Sequence, residues 1–200
     1  MKKIILISII IIVLVIVGYT QCPKEGRNKK GNSLKTELQQ LNLLKNRNTQ
    51  PKSSEIDKKI TLEKIMNSKD DPNAFKTSSG VIIEGYIFKA KDEGGESCNC
   101  YSNDPKDLDV HVYISNNKYI KSIAECTVIE VSKYSKQLHP EWCANYFNTH
   151  YKGHKVQVTG WMMYDFEHKN VSNETNPNSS KCHRKTVWEV HPITSVKIID

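Results

Sequence analysis

The sequence predicts a mainly β fold: a five-stranded barrel with one helix before the first strand and one helix between the third and fourth strands. Three observations predict this class. From about residue 55 the chain contains runs in which apolar and polar residues alternate with a period of two, as in half-buried strands. Loops rich in Gly, Asn, Asp, Pro and Ser separate these runs. Two stretches show helical spacing instead.

The predicted elements follow in chain order. A helix capped by Ser54 ends before Pro72. Strands are predicted at 81–90, 108–115, 123–131, 155–164 and 186–199. The last strand bends at Pro192, which cannot donate to a strand ladder. The second helix has Pro140 in its first turn, where proline is well tolerated, and it stops at Gly153.

Five strands with a helix between the third and fourth is the layout of an OB-like Greek-key barrel. Ligands of such barrels lie across strands two and three and beside the loops that join strands one to two and four to five. Here those two loops, 91–107 and 165–185, are the longest of the domain, which favours a ligand site. We expect an all-antiparallel barrel with strand five next to strand one.

The N-terminal region differs in composition from the rest of the chain. Residues 1–22 resemble an export signal, because Lys2 and Lys3 precede an apolar run at 4–17 that is too short to span a bilayer. Cys22 is a candidate for the lipid attachment of a bacterial lipoprotein, with simple cleavage or an uncleaved anchor as alternatives. Residues 23–54 predict a polar flexible linker, and 55–200 predict the OB-like domain. The domain is therefore predicted to be exported and tethered to the membrane, in the cell envelope or outside it.

The overall charge narrows the function only slightly. The chain carries 29 basic and 22 acidic residues, a net charge of +7, and much of the excess lies in 24–59. Such a segment suits a solvated tether near anionic lipid at least as well as a nucleic-acid surface. No nucleophile elbow and no glycine-rich phosphate loop is present in the sequence, so common hydrolase and nucleotide-binding templates do not apply.

The cysteines predict disulfides, because the domain is expected in an oxidising compartment. With Cys22 assigned to the signal, the disulfide candidates are Cys98, Cys100, Cys126, Cys143 and Cys182. We expect Cys98 or Cys100 to pair with Cys182, and Cys126 to pair with Cys143. A zinc site built from Cys98, Cys100, Cys182 and His183 is the alternative.

Polar side chains on the second and fifth strands predict a binding surface. Because strand side chains alternate between faces, Asp109, His111 and Tyr113 lie on one side of the second strand. Glu189 and His191 share a face of the fifth strand in the same way. The complete predicted set is Asp109, His111, Tyr113, Asp165, His168, Glu189 and His191. A polar face exposed to solvent, with His191 paired to Glu189, is the alternative interpretation.

We expect this surface to bind an extended polar ligand. Tyr101, Tyr113 and Tyr164 could stack on sugar rings or bases. The predicted location favours a cell-envelope glycan or a protein partner over nucleic acid, and no cofactor is expected.

The competing hypothesis is a metal-dependent hydrolase that acts on phosphodiesters or similar bonds. The proposed metal ligands are His111, His168, His191 and Asp109, which offer the nitrogen and oxygen atoms that suit zinc or another divalent metal. Glu189 would serve as the base. Nothing in the sequence shows that these side chains converge.

Four separated runs resemble those of uncharacterised exported bacterial OB-fold-like proteins. They are ESCNC at 96–100, DLDVHV at 107–112, GWMMYDFEHK at 160–169 and WEVHP at 188–192. The resemblance covers 61–199 and implies the OB-like fold and export, without implying an activity. At Glu130-Val131 this chain departs from the Pro-Arg pair that such proteins often carry there, which puts a site at that point in doubt.

Overall fold

The computed structural model describes residues 22–200, and in it five strands close into the predicted barrel. The strands are β1 (Gly80–Asp92), β2 (Val110–Ser115), β3 (Thr127–Val131), β4 (Lys155–Tyr164) and β5 (Trp188–Ile198). Around the barrel they follow the order β1-β2-β3-β5-β4, which is mainly β and consistent with an OB-like barrel. The fold-class prediction is therefore confirmed.

The strand pairing corrects two details of the prediction. β5 lies between β3 and β4 rather than beside β1, and its pairing with β3 is parallel, through Ile129 and Val190. The other four pairings are antiparallel. β1 closes the barrel because its first half pairs with β4 and its second half pairs with β2, with a register shift between Ile87 and Lys89.

The bend predicted at Pro192 lies where β5 faces Gly160 of β4. The register between β4 and β5 shifts on both sides of Gly160. A Cβ atom at residue 160 would lie 2.6 Å from the backbone oxygen of Pro192, so only glycine fits without displacement of the backbone. The two strands therefore approach each other closely at Gly160.

The interior of the barrel is apolar, as the alternation predicts. Val110, Val112 and Ile114 of β2 are fully buried there, in one cluster with residues from all the other strands. Helices α2 (Leu62–Met66) and α4 (Ala144–His150) add to this cluster through residues such as Ile65 and Phe147. The interior therefore holds the main hydrophobic core.

The region between β3 and β4 contains two short helices instead of the single predicted one. Helix α3 (Lys133–Leu138) begins after Ser132, whose side chain accepts a hydrogen bond from the backbone N–H of Ser135. It ends at His139, because a residue that precedes proline is disfavoured in helical conformation. Pro140 therefore separates α3 from α4 rather than starting a helix.

The segment predicted as a flexible linker is ordered and lies against the barrel. It contains helix α1 (Thr36–Lys45), in which Leu41, Asn42 and Lys45 are buried. The Asn42 side chain donates to the backbone oxygen of Glu25 and to Ser97 Oγ, at 2.9 and 3.1 Å. These contacts are mostly polar, so a composition poor in apolar residues concealed them.

The disulfide differs from both predicted pairings. Cys22 is bonded to Cys100, which joins the start of the described chain to the loop after β1. The predicted lipid attachment at Cys22 is incompatible with this disulfide, because acylation needs the same sulfur atom. Cys98, Cys126, Cys143 and Cys182 are free thiols, so the predicted bridges to Cys182 and between Cys126 and Cys143 are absent.

A disulfide of this kind indicates an oxidising location, as expected for an exported chain. The export-signal prediction itself falls on residues 1–21, which lie outside the described residues. Among residues 22–200, no helix is both long and apolar enough to cross a membrane.

Candidate functional site

The predicted binding face of β2 is polar, but it is not exposed. Asp109, His111 and Tyr113 are only 6%, 3% and 2% exposed. Tyr113 belongs to a small second apolar cluster with Cys126 and Val128. His111 points to the same outer side of the barrel, opposite Glu130 of β3. Other parts of the chain therefore cover this face.

Three segments form the cover: α1, the loop 93–109 between β1 and β2, and the loop 165–187 between β4 and β5. The ammonium group of Lys45 on α1 connects them, since it lies 2.9 Å from Glu96 in the first loop and 3.0 Å from Asp165 in the second. The second loop also contributes Arg184, which lies 2.9 Å from Glu189 of β5. The three segments thus meet over the outer face of β2, β3 and β5.

The covered face contains a network of ionisable side chains, most of them buried, which we call the buried polar network. Its members are Lys45, Glu93, Glu96, Cys98, Asp109, His111, Glu130, Asp165, His168, Arg184, Glu189 and His191. Burying charges is costly unless they are paired, so the pairing pattern decides what the network can do.

Glu130 is the centre of the network. One of its oxygens lies 2.6 Å from His111 Nε2, and the other lies 2.8 Å from His191 Nδ1. The backbone explains this geometry, because His111 faces Glu130 across β2 and β3, while β3 and β5 adjoin at Ile129 and Val190. Three neighbouring strands therefore bring two imidazoles to one carboxylate.

The two imidazoles are strongly basic in this arrangement. Burial opposes protonation of His111 and His191, but the charge and hydrogen bond of Glu130 together with a second carboxylate, Glu93 for His111 and Glu189 for His191, outweigh burial and raise the pKa of each ring to about 10. Burial likewise opposes ionisation of Glu130, yet His111 and His191 hold its pKa well below its usual range. In the absence of other ligands the three side chains form a charged group of two cations and one anion.

A second branch of the network centres on Asp165. Besides Lys45, this carboxylate has His168 Nδ1 at 3.1 Å. Burial raises the pKa of Asp165, but Lys45 and His168 outweigh burial and hold it below its ordinary value. Burial lowers the pKa of Lys45, but the charges of Asp165 and Glu96 outweigh burial and raise this pKa above its ordinary value. This branch fastens α1 and the second loop to each other.

Arg184 and Glu189 form a third branch, and both side chains are fully buried. Arg184 Nη1 donates to Glu189 Oε2, whereas Arg184 Nε and Nη2 have no hydrogen-bond partner among residues 22–200. Burial and the nearby charge of Glu130 raise the pKa of Glu189 in spite of Arg184. Burial therefore dominates at this carboxylate.

Asp109 differs from the other carboxylates because no cation neutralises it closely. Within residues 22–200, no Lys, Arg or His nitrogen forms an ion pair with its carboxylate at 4.0 Å or less. Its side-chain contact is the thiol of Cys98, at 3.8 Å. Burial raises the pKa of Asp109 to about 6; the charge of His191 opposes this rise, and the charge of Glu130 adds to it.

A cleft of about 620 Å³ reaches the network from outside. The N-terminal segment, the first loop and α3 form its walls, and Asp109 and Cys98 are among the lining residues. Its basic lining residues are Lys24, Arg27, Lys106 and Lys133. Asp107 also lines the cleft and pairs with Lys133, and Lys106 pairs with Asp104, so Lys24 and Arg27 are the lining cations without an ion pair among residues 22–200.

The structure brings together most of the predicted site residues. Asp109, His111, Glu189 and His191 lie in one region, while Asp165 and His168 form the neighbouring branch. His111 and His168 have ring centres 6.1 Å apart. The predicted row on β2 therefore contributes Asp109 and His111 to the buried polar network, and this face is covered.

Sequence reasoning missed several members of the network. Glu130 is not among the predicted site residues, and the sequence put a site at that point in doubt. A carboxylate within the apolar run of β3 is, however, the same signal that identified Glu189. Arg184 carries no such signal, because it lies in a long polar loop. Lys45 is one of many lysines in a polar segment, and only its burial of 98% distinguishes it.

Comparison with known proteins adds no relative. No protein-family model matches this chain, and no curated protein matches it in sequence. The resemblance to exported OB-fold-like proteins therefore stays a prediction, and the fold and the site are the basis for the function.

Proposed function

We propose that this protein is an exported OB-like binding domain whose cleft takes an extended anionic oligosaccharide of the cell envelope. The observation that carries the proposal is the lining of the cleft. Lys24 and Arg27 line it and form no ion pair with any other residue in 22–200, so their charges are available to a ligand. Positive charge on a concave wall attracts anions from solution.

The remaining lining residues suit a sugar. Tyr134 offers an aromatic face, and Asn46, Asn48 and Gln137 offer amide donors and acceptors to hydroxyl groups. Binding sites commonly combine a few such polar groups with an aromatic surface. Tyr113 and Tyr164, which the sequence suggested for stacking, do not serve this purpose, because Tyr113 is buried and Tyr164 packs against Trp188.

The proposal includes export by residues 1–21. Because the disulfide occupies the Cys22 sulfur, a membrane tether would be an uncleaved N-terminal anchor rather than a lipid on Cys22. Mass spectrometry of the protein isolated from its own cells without reduction tests this point. A diacylglyceryl group on Cys22 would contradict it.

Titration calorimetry with two tetrasaccharides tests the ligand. We expect tetragalacturonate to bind at low ionic strength and maltotetraose, which is uncharged, to bind far more weakly. The affinity should fall as salt is added, because exposed charges are screened. Equal binding of both sugars would contradict the proposal.

A charge-matched pair of variants locates the site. Lys24→Gln/Arg27→Gln should weaken tetragalacturonate binding by roughly 10-fold, about 1.4 kcal/mol. In the control Lys185→Gln/Lys197→Gln, two charges outside the cleft lining are removed, and the affinity should change by less than about 2-fold. Equal loss in both double variants would show nonspecific attraction rather than a site in the cleft.

A second candidate is metal-assisted hydrolysis of an ester or phosphodiester held in the cleft. The observation that favours it is the proximity of imidazole and carboxylate groups to the cleft at Asp109. Cleavage of bis(p-nitrophenyl) phosphate by metal-supplemented protein, lost in Asp109→Asn, would support this candidate. Absence of turnover with Zn²⁺, Mn²⁺ and Mg²⁺ would leave the binding domain as the function.

A further inference from the structure

We propose that Asp109, Glu130 and His191 bind one transition-metal dication, Zn²⁺ or Mn²⁺, at the inner end of the cleft. One carboxylate oxygen of Asp109, one of Glu130 and one ring nitrogen of His191 lie within 4.8 Å of one another. After small side-chain rotations, three atoms at such separations can all contact one metal ion at the usual metal–ligand distance of about 2.0–2.2 Å. This proposal does not depend on the ligand of the cleft.

The first argument is the state of Asp109. Its carboxylate is 6% exposed and lacks a close cationic partner among residues 22–200. A buried carboxylate in that position is costly, and proteins usually pair such a group or use it to coordinate a metal. Asp109 also lines the cleft, which gives an ion a route to it.

The second argument is the state of His191. Its side chain is fully buried; Nδ1 faces Glu130 at 2.8 Å, whereas Nε2 has no hydrogen-bond partner among residues 22–200. Buried polar atoms are satisfied in the great majority of cases, so an exception of this kind indicates a missing partner. A metal ion would be such a partner for imidazole, the commonest protein ligand of Zn²⁺.

The third argument is the charge of the network. It contains six carboxylates, at Glu93, Glu96, Asp109, Glu130, Asp165 and Glu189. The side chains that are always cationic are Lys45 and Arg184, and they lie beside Glu96, Asp165 and Glu189. A dication between Asp109 and Glu130 would neutralise Asp109, which neither of these cations reaches, and it would replace the proton of His191, which binds a metal in its neutral form.

The surroundings are suited to hold the ligands. Asp109 directly precedes β2, while Glu130 and His191 lie within β3 and β5, so neighbouring strands of the barrel fix all three. His111 lies 2.6 Å from one oxygen of Glu130, and Glu189 lies 3.6 Å from His191 Nδ1. Outer contacts of this type orient metal ligands in known sites.

A second set of possible metal ligands lies next to the proposed site and shares Asp109 with it. Glu96, Cys98 and Asp109 also bring ligand-type atoms within 4.8 Å, but the ammonium of Lys45 already lies 2.9 Å from Glu96. Two carboxylates with one imidazole and no thiolate suit Zn²⁺ or Mn²⁺. We therefore assign the ion to the group that contains Glu130 and His191.

Calorimetry on metal-free, chelator-dialysed protein tests the proposal. We expect one equivalent of Zn²⁺ or Mn²⁺ to bind, and Co²⁺ to give a visible d–d absorption spectrum in its place. Asp109→Asn should fold, because the amide replaces a carboxylate that has no cationic partner, and should bind at least about 100-fold more weakly. Failure of the wild type to bind any of the three ions would overturn the proposal.

Variants separate this site from others. His154→Gln removes an exposed imidazole and should leave stoichiometry and affinity unchanged, which excludes adventitious binding at the surface. Cys98→Ser should change the affinity by less than about 5-fold, whereas His191→Gln should abolish the Co²⁺ spectrum. Binding that survives His191→Gln but is lost in Cys98→Ser would place the ion in the other group and contradict the assignment. If His191→Gln does not fold, unchanged binding by Asp109→Asn remains sufficient to reject it.

Discussion

The interior of the barrel and the outer face of β2, β3 and β5 are both buried, but they are stabilised differently. The interior is filled by aliphatic and aromatic side chains such as Val112 and Phe147. The outer face is filled by ionisable groups, which contact α1 and the two long loops. Apolar burial is stabilising wherever it occurs, whereas a buried charge depends on its particular partner. The outer face should therefore be much more sensitive to the loss of single partners.

Removal of a cation from the covered face should have the largest effect. Lys45→Met leaves Asp165 with one close partner, His168, and should lower the free energy of unfolding by about 3–5 kcal/mol. Lys35→Met, at an exposed position next to the same helix, is the control and should cost less than about 0.5 kcal/mol. Urea denaturation measures both variants.

The double variant Lys45→Met/Asp165→Asn sharpens this comparison. Because it removes both charges of the pair, it should recover part of the loss caused by Lys45→Met. If the two single losses simply add, Lys45 and Asp165 do not interact, and the covered face is not stabilised by pairing as described.

A matched pair on β1 tests the barrel interior. Ile83 is 1% exposed and its neighbour Ile82 is 44% exposed, although both belong to the same strand. Ile83→Ala should lower the free energy of unfolding by about 3 kcal/mol, because it leaves a cavity in the core. Ile82→Ala should cost about 1 kcal/mol or less, from strand preference alone. Similar losses in thermal or urea unfolding would mean that the strand faces are assigned wrongly.

Acid should gradually lower the free energy of unfolding through the covered face, and we expect this effect to be the smallest of those predicted here. The pKa of Asp165 is lower in the folded chain than its ordinary value of about 3.9, mainly because Lys45 and His168 outweigh burial. Its contribution to stability is therefore complete above about pH 5 and is lost as the pH falls below that value. Urea denaturation between pH 7 and pH 3 should show a steeper loss for the wild type than for Asp165→Asn. Parallel curves would contradict the lowered pKa.

Local patterns were sufficient to predict the strands. The alternation around Val110, Val112 and Ile114 places these residues in the interior, where the structure has them. The same alternation put His111 on the opposite side, which is also correct. Whether that side meets solvent is a different question, because it depends on the segments that cover it. The prediction of an open binding face failed for this reason.

The sequence by itself determined the five strands, the barrel class and the polar character of the outer face, since these depend on side-chain spacing within a few residues. Only the tertiary structure decided that the face is covered, that Glu130 joins His111 to His191, and that Cys22 bonds to Cys100. Cys22 and Cys100 are 78 residues apart, and Lys45 and Asp165 are farther still. Contacts at such separations depend on the path of the whole chain, which no local spacing encodes.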